Sequence, residues 1–237
     1  MREAMLRTYE NTGGVVFHGA GVTCGGHGIM VCGPRHAGKT TMLAALLRST
    51  GAQMLSNDRL LLVNDHQLLA VPLPVPIARG TVEAIPELRR TVPALTRPQT
   101  PLAQLPTVFG TTHKAEFTAR EFATALGVRL TGSGSLTTVL VPRLSDSNEV
   151  TSIRRLPAAE LEATLRGNCF TPHDEFWLQP WLVPRTRSDD ELARHAQQRI
   201  PGIAPRLTGY EVRHGVRRGF DELSDVAADL IRRSNDQ

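Results

Sequence analysis

Apolar and polar positions alternate in short blocks through the first third of the chain. In VVFHGAGVTCGGHGIMVCG two apolar runs flank Gly25-Gly26-His27-Gly28. Short strands joined by a glycine-rich turn read as a hairpin, so the second strand, Gly28 to Cys32, is expected to pair antiparallel with its predecessor. Beyond it Met42, Leu43, Leu46 and Leu47 recur at helical spacing. They predict an amphipathic helix from Thr40 to Arg48, stopped by Gly51. AQMLSNDRLLLV then reads as strand, polar break and strand, and Asn64 to Gln67 turns the chain into LLAVPLPVP. The fold class that follows is α/β, a mixed, hairpin-rich sheet around one central helix, because a doubly wound sheet would alternate strand and helix strictly.

Prolines recur from Pro72 to Pro106, with a short helical patch around Thr81 to Arg89. Proline removes donors from a ladder, so an ordered irregular segment or lid is expected there rather than a strand. Thr118 followed by Glu121 marks a capping box opening a helix to Val128. SLTTVLVPRL reads as a strand, Pro157 to Leu165 as a helix, and FDELSDVAADLIRRS as a helix ending in basic residues. There is no internal repeat. One domain over 1–237 is expected, with a core at about 14–144 and a substrate or packing subregion at about 145–237.

The chemistry is concentrated between the hairpin and the helix. MVCGPRHAGKTT fits the phosphate-loop pattern G-x-x-x-x-G-K-[ST], with Gly33, Gly38, Lys39 and Thr40 in register and Thr41 as a further hydroxyl. Glycines let the backbone turn sharply, so that the N–H groups of Gly33, Pro34 excepted, and of Arg35, His36, Ala37 and Gly38 are candidates to line an anion nest at the positive end of the helix. Lys39 supplies a point charge for the outer phosphates, and the Thr40 hydroxyl suits magnesium. A nucleoside triphosphate, ATP or GTP, with Mg2+ is the expected ligand.

Charge and composition narrow the partners. The chain has 27 lysines plus arginines and a formal charge of +4, yet lysine occurs only at Lys39 and Lys114. A lysine retained in an arginine-rich chain marks a place where a planar guanidinium does not replace an ammonium. The arginine pairs are dispersed and aromatics make up only 5% of residues, which argues against a nucleic-acid surface. No run approaches the roughly 18 apolar residues of a membrane span, and MREAMLRTYENTGG lacks a signal peptide's apolar stretch, so a cytoplasmic protein without a membrane partner is expected. Cys24, Cys32 and Cys169 show no metal-ligand spacing and leave an odd count, and Cys24 and Cys32 read as small buried hydrophobes. Self-association into a homo-oligomer stays open.

The stretch FHGAGVTCGGHGIMVCGPRHAGKTTMLAALLRSTGAQMLSNDRLLL resembles the nucleotide-binding core of HPr kinase/phosphorylase and its small standalone relatives, whose fold is also that of phosphoenolpyruvate carboxykinase. His18-Gly19, the hairpin, the loop and the pair Asn57-Asp58 occupy the family's motif positions. The match covers about 14–63 and continues more weakly through KAEFTAREFATALG and LTTVLVPRL. It implies ATP-dependent phosphoryl transfer to a hydroxyl, with Mg2+ held by Thr40 and Asp58. The family's additional N-terminal domain is not expected here, because the loop begins so near residue 33. That favours a specialised acceptor over a phosphocarrier, and the standalone relatives imply tailoring of peptides or other natural products.

In that family the first aspartate of the pair is taken as the base near the attacking hydroxyl, whereas this chain has Asn57, which cannot accept a proton. The loose transition state of phosphoryl transfer leans on positioning and charge, so a formal base matters modestly. Asp58 in a double role, His18, His113 and His173-Asp174 are the alternatives, with His18 first because the resemblance places it near the loop. Lys114 is a candidate to stabilise charge on the transferred group, its alternative being a surface lysine. The acceptor is a hydroxyl of a peptide, protein or small molecule. The competing reading is a nucleotide-binding switch or scaffold without transfer. Phe170, Phe176, Trp177 and Trp181 in NCFTPHDEFWLQPW are candidates for an acceptor pocket or for core packing.

Overall fold

A computed structural model describes residues 2–174 and 182–235. Phe176, Trp177 and Trp181 lie outside the described residues. The chain runs α1 (Arg2–Asn11), β1 (Val15–Cys24), β2 (His27–Cys32), α2 (Lys39–Leu47), β3 (Gln53–Ser56), β4 (Arg59–Val63), β5 (Gln67–Ala70), β6 (Val75–Ile77), α3 (Arg79–Ala84), α4 (Pro86–Thr91), β7 (Ala115–Phe117), α5 (Ala119–Ala125), β8 (Ser133–Ser145), β9 (Ser152–Leu156), α6 (Ala158–Gly167), α7 (Asp189–Ile203), β10 (Thr208–Gly215) and α8 (Phe220–Asn235).

The expected hairpin is present: β1 and β2 pair antiparallel from Gly19 with Cys32 to Cys24 with His27. β4 pairs antiparallel with β1 and β5, β5 with β8, and β2 runs parallel to β8. Following these pairings from β1 through β2, β8, β5 and β4 leads back to β1, so the mixed sheet closes on itself. It continues beyond β8 through parallel β10 to antiparallel β9.

Alternate residues of these strands face two different cores, as the two-residue period of a strand requires. Val31, Leu140 and Val212 point toward α2 and α8, whereas Met30, Cys32, Val139 and Val141 point toward α6 and α7. α2 departs from expectation in one respect. Met42 through Leu47 are all buried, so the helix is apolar all round rather than amphipathic. α8, β6, β7 and α5 contribute Leu223, Val75, Phe117 and Phe122 to the same core, which leaves this part of α2, beyond its half-buried first turn, no solvent face.

The proline-rich stretch also differs. It holds one short strand, β6, paired antiparallel with β7 in a separate two-stranded sheet, as well as α3 and α4. Pro76 is tolerated because a strand with a single neighbour leaves one edge without ladder bonds. The expected capping box of α5 is present, with Glu121 N–H bonded to Thr118 Oγ1 at 3.1 Å and Thr118 N–H to Glu121 at 2.8 Å. Among the described residues no helix is long and apolar enough to cross a membrane.

Candidate phosphate-binding site

The loop between β2 and α2 is held from both sides. Leu144 N–H on β8 donates to Ala37 O at 3.1 Å, Ala37 N–H closes a turn onto Pro34 O at 3.3 Å, and Gly33 N–H donates to Asn168 Oδ1 at 3.1 Å. Gly38 occupies the N-cap of α2 with φ 95° and makes no side-chain cap bond. A Cβ there would stand 2.6 Å from Leu144 Cδ2, so position 38 accepts only glycine on both conformational and steric grounds. The first N–H groups of α2 are therefore left for an external acceptor, as at an anion-binding helix terminus. Lys39 Nζ donates to Gly33 O and Pro34 O, each at 2.9 Å, which folds the ammonium back along the loop. Pro34, Arg35 and His36 form the exposed crest.

Asn57 and Asp58, the two residues between β3 and β4, supply the facing wall with Arg59 at the start of β4. Buried Asn57 accepts the Thr40 hydroxyl at 3.2 Å through Oδ1 and donates to Pro74 O at 3.4 Å through Nδ2. The amide thus ties the first turn of α2 to the proline-rich segment. Asp58 follows with φ 76°, a left-handed conformation that aspartate tolerates better than most residues. Its Oδ1 lies 3.1 Å from His18 Nε2 on β1, and its Oδ2 2.6 Å from Arg59 Nη1. Burial alone raises the Asp58 carboxyl, but the His18 hydrogen bond and the charges of Arg59, His18 and Lys39 outweigh it and hold the group below the ordinary carboxylate value.

Lys114 joins this cluster. Burial lowers its pKa, with Asp58 pulling the other way. Lys39 is likewise lowered chiefly by burial, opposed by Asp58 and reinforced by Lys114. The segment before β7 reaches the loop, since a Cβ on Gly110 would lie 3.8 Å from the His36 side chain. Both lysines of the chain lie within the electrostatic reach of one carboxylate, without an ion pair to it. His113 and His173 are exposed, and Asp174 is buried against Arg59 at 2.7 Å, so of the candidate bases His18 is the histidine beside Asp58. Thr41 Oγ1 turns away from the loop crest and meets Thr81 Oγ1 at 3.0 Å. Cys32 is fully buried with its thiol pushed up to about 12, an inert core residue.

Among the described residues no group of three or more His, Cys, Asp or Glu side chains is placed to hold a metal by itself. Magnesium takes one or two protein oxygens and completes its octahedron with phosphate and water. The Thr40 hydroxyl and the ionised Asp58 carboxylate, linked through Asn57, are the donors that would hold it. Sequence reasoning missed Arg59 and Asn168. Arg59 left a signal, a charged residue opening the otherwise apolar run Arg59-Leu-Leu-Leu-Val. Asn168 left none.

The protein has a mixed α/β architecture, with a sequence of phosphate-loop pattern between β2 and α2. No family model matches the chain, and no curated protein matches it. Among solved structures it is similar to the Hpr(Ser) kinase/phosphatase from Coxiella burnetii, over 93% of this chain and 95% of that one, at a TM-score of 0.39 and 11% identity. The site chemistry rests on this chain's own residues.

Proposed function

We propose that this chain is a kinase that transfers the terminal phosphoryl group of ATP or GTP to a hydroxyl on a peptide, a protein or a small molecule, as in the tailoring of natural products. The observation that carries the reading is Asp58, in contact with His18 and Arg59 and within the field of Lys39 and Lys114, beside an uncapped helix terminus. The uncapped N–H groups at the start of α2 and Lys39 bind and orient the polyphosphate, and Mg2+ held by Thr40 and Asp58 would supply neutralising charge when bound. Lys39 and Lys114 face the charge that spreads over the transferred group's oxygens. The acceptor oxygen forms its bond to the terminal phosphorus as the bridging bond to the nucleoside diphosphate breaks. The hydroxyl proton passes to the His18–Asp58 pair, which replaces the missing carboxylate at position 57.

Calorimetric titration of ATP and GTP, with and without magnesium, into wild type, Lys39→Ala and Asp58→Ala tests the site. Magnesium-dependent binding weakened by both substitutions is expected, and no binding by wild type would remove the proposal. A screen of hydroxyl acceptors then tests transfer, in which Lys114→Ala is expected to slow turnover and leave nucleotide affinity nearly unchanged. A second reading, a nucleotide-dependent switch without transfer, is favoured by Asn57, whose amide is engaged at both ends and takes no proton. Tight binding with no phosphorylated product across the acceptor screen is the result that would select it.

A further inference from the structure

The segment from Asn168 to Asp174 stands outside the phosphate-loop motif, yet it grips the site at several points. Asn168 is buried and ends α6. Its Oδ1 accepts Gly33 N–H at 3.1 Å, its Nδ2 donates to Thr164 O at 2.8 Å, and its backbone carbonyl accepts His18 N–H at 2.8 Å. One residue thus fixes the first glycine of the loop and the strand position of His18 to the end of a helix.

The grip continues along the segment. Phe170 N–H bonds Val16 O at 2.8 Å, and its ring lies 4.9 Å from the His18 ring and 4.5 Å from the Arg59 guanidinium carbon. Thr171 Oγ1 accepts Val16 N–H at 2.8 Å. Asp174 receives Arg59 Nε at 2.7 Å and Nη2 at 3.3 Å, while Nη1 of the same guanidinium reaches Asp58 at 2.6 Å.

Charge balance explains why the guanidinium takes two carboxylates. With Asp58 alone, Arg59 would cancel the only negative group at the mouth. With Asp174 included the guanidinium charge is shared between two carboxylates, so Asp58 is not fully neutralised by it while its orientation is set by a planar, pre-organised fork. A lone arginine with 1% side-chain exposure would also carry a large desolvation cost, which Asp174 offsets.

We propose that residues 168–174 form a positioning clamp for the phosphate site, in which Asn168 sets the start of the loop and Arg59, anchored by Asp174, sets the Asp58 carboxylate. The clamp deepens the proposed kinase reading and rests on it for its purpose, but its geometry is testable without turnover.

The experiment follows the amide exchange of Gly33 and the Arg59 Nε–H by NMR, and ATP affinity in the presence of magnesium by calorimetry. Wild type is compared with Asn168→Ala, Asn168→Asp and Asp174→Asn. Asn168→Ala is expected to speed Gly33 exchange about tenfold and to weaken ATP by a similar factor, the worth of one buried hydrogen bond. Asn168→Asp keeps the acceptor and loses the Thr164 bond, so Gly33 exchange stays close to wild type. A merely structural role would instead move both variants alike. Asp174→Asn is expected to speed Arg59 Nε–H exchange with Gly33 unaffected. Unchanged Gly33 exchange in folded Asn168→Ala overturns the clamp, and so does equal acceleration in Asn168→Ala and Asn168→Asp. If wild type binds ATP and phosphorylates nothing, the kinase reading falls while the exchange data still decide the clamp. If wild type binds no ATP, Gly33 exchange decides it alone.

Discussion

Lys39 and Lys114, the chain's two lysines, both lie within the electrostatic reach of Asp58, and their burial sets a pH signature. Each pKa is depressed in the folded state, mainly by desolvation. Between those depressed values and the unfolded value of about 10.4 the unfolded chain binds more protons, so stability rises with pH across that window. Urea midpoints between pH 7 and 10 are expected to climb more for wild type than for Lys114→Met, and parallel curves would refute the burial of that ammonium. Asp58 acts oppositely. Its folded pKa lies below the unfolded value of about 3.9, so its contribution is present above that pH and lost as pH falls through the folded value. Asp58→Asn is therefore expected to flatten the acid limb of the stability curve. At Asn57 the structure argues against simple restoration of a carboxylate. Asn57→Asp would bury a charge facing Pro74 O and lose the Nδ2 bond, at a cost of about 2–4 kcal/mol by urea denaturation, whatever it does for transfer.

At the scale of elements, α2 and the loop that precedes it form one unit braced by β8. The Gly38 position meets Leu144 across that brace, so Gly38→Ala is expected to destabilise by about 2–3 kcal/mol through strain and overpacking and to abolish phosphate binding. Adding Leu144→Ala removes the Cγ and Cδ2 overlaps but leaves Leu144 Cβ at 2.9 Å and the left-handed backbone strain, so the double variant should regain only part of the stability, read by thermal unfolding, and less of the affinity. The hairpin, α2, the α5 capping box, β8, α6 and α8 were legible in the sequence, because glycine turns, helical spacing and capping residues act locally. α1, β9, α7 and β10 were not read. α7 did carry a local mark, the Ser188–Glu191 capping box, in which Glu191 N–H bonds Ser188 Oγ at 3.3 Å. β6 was obscured by Pro76, whose cost depends on how many neighbours a strand has.

For the whole molecule, a ligand that binds only the folded state stabilises it by mass action. At about a hundred times its dissociation constant, ATP with magnesium should add about 2.7 kcal/mol and raise the melting temperature by about 5–10 °C. Chelation of magnesium, or Lys39→Ala, should abolish most of that shift, and an undiminished shift under chelation would count against a cation held by Thr40 and Asp58. The sequence by itself determined the phosphate loop, its flanking strand and helix, and the presence of Asn57-Asp58 at a strand break, since these depend on residue types at short, regular spacing. Only the tertiary structure decided that Met42 to Leu47 of α2 are buried on every side, that Lys114 lies in the field of the same carboxylate as Lys39, and that Arg59, Asn168 and Asp174 brace the site. Those contacts join residues more than a hundred positions apart, as in Gly33 with Asn168 and Arg59 with Asp174, and such pairings follow from strand register and side-chain packing, which no local pattern encodes.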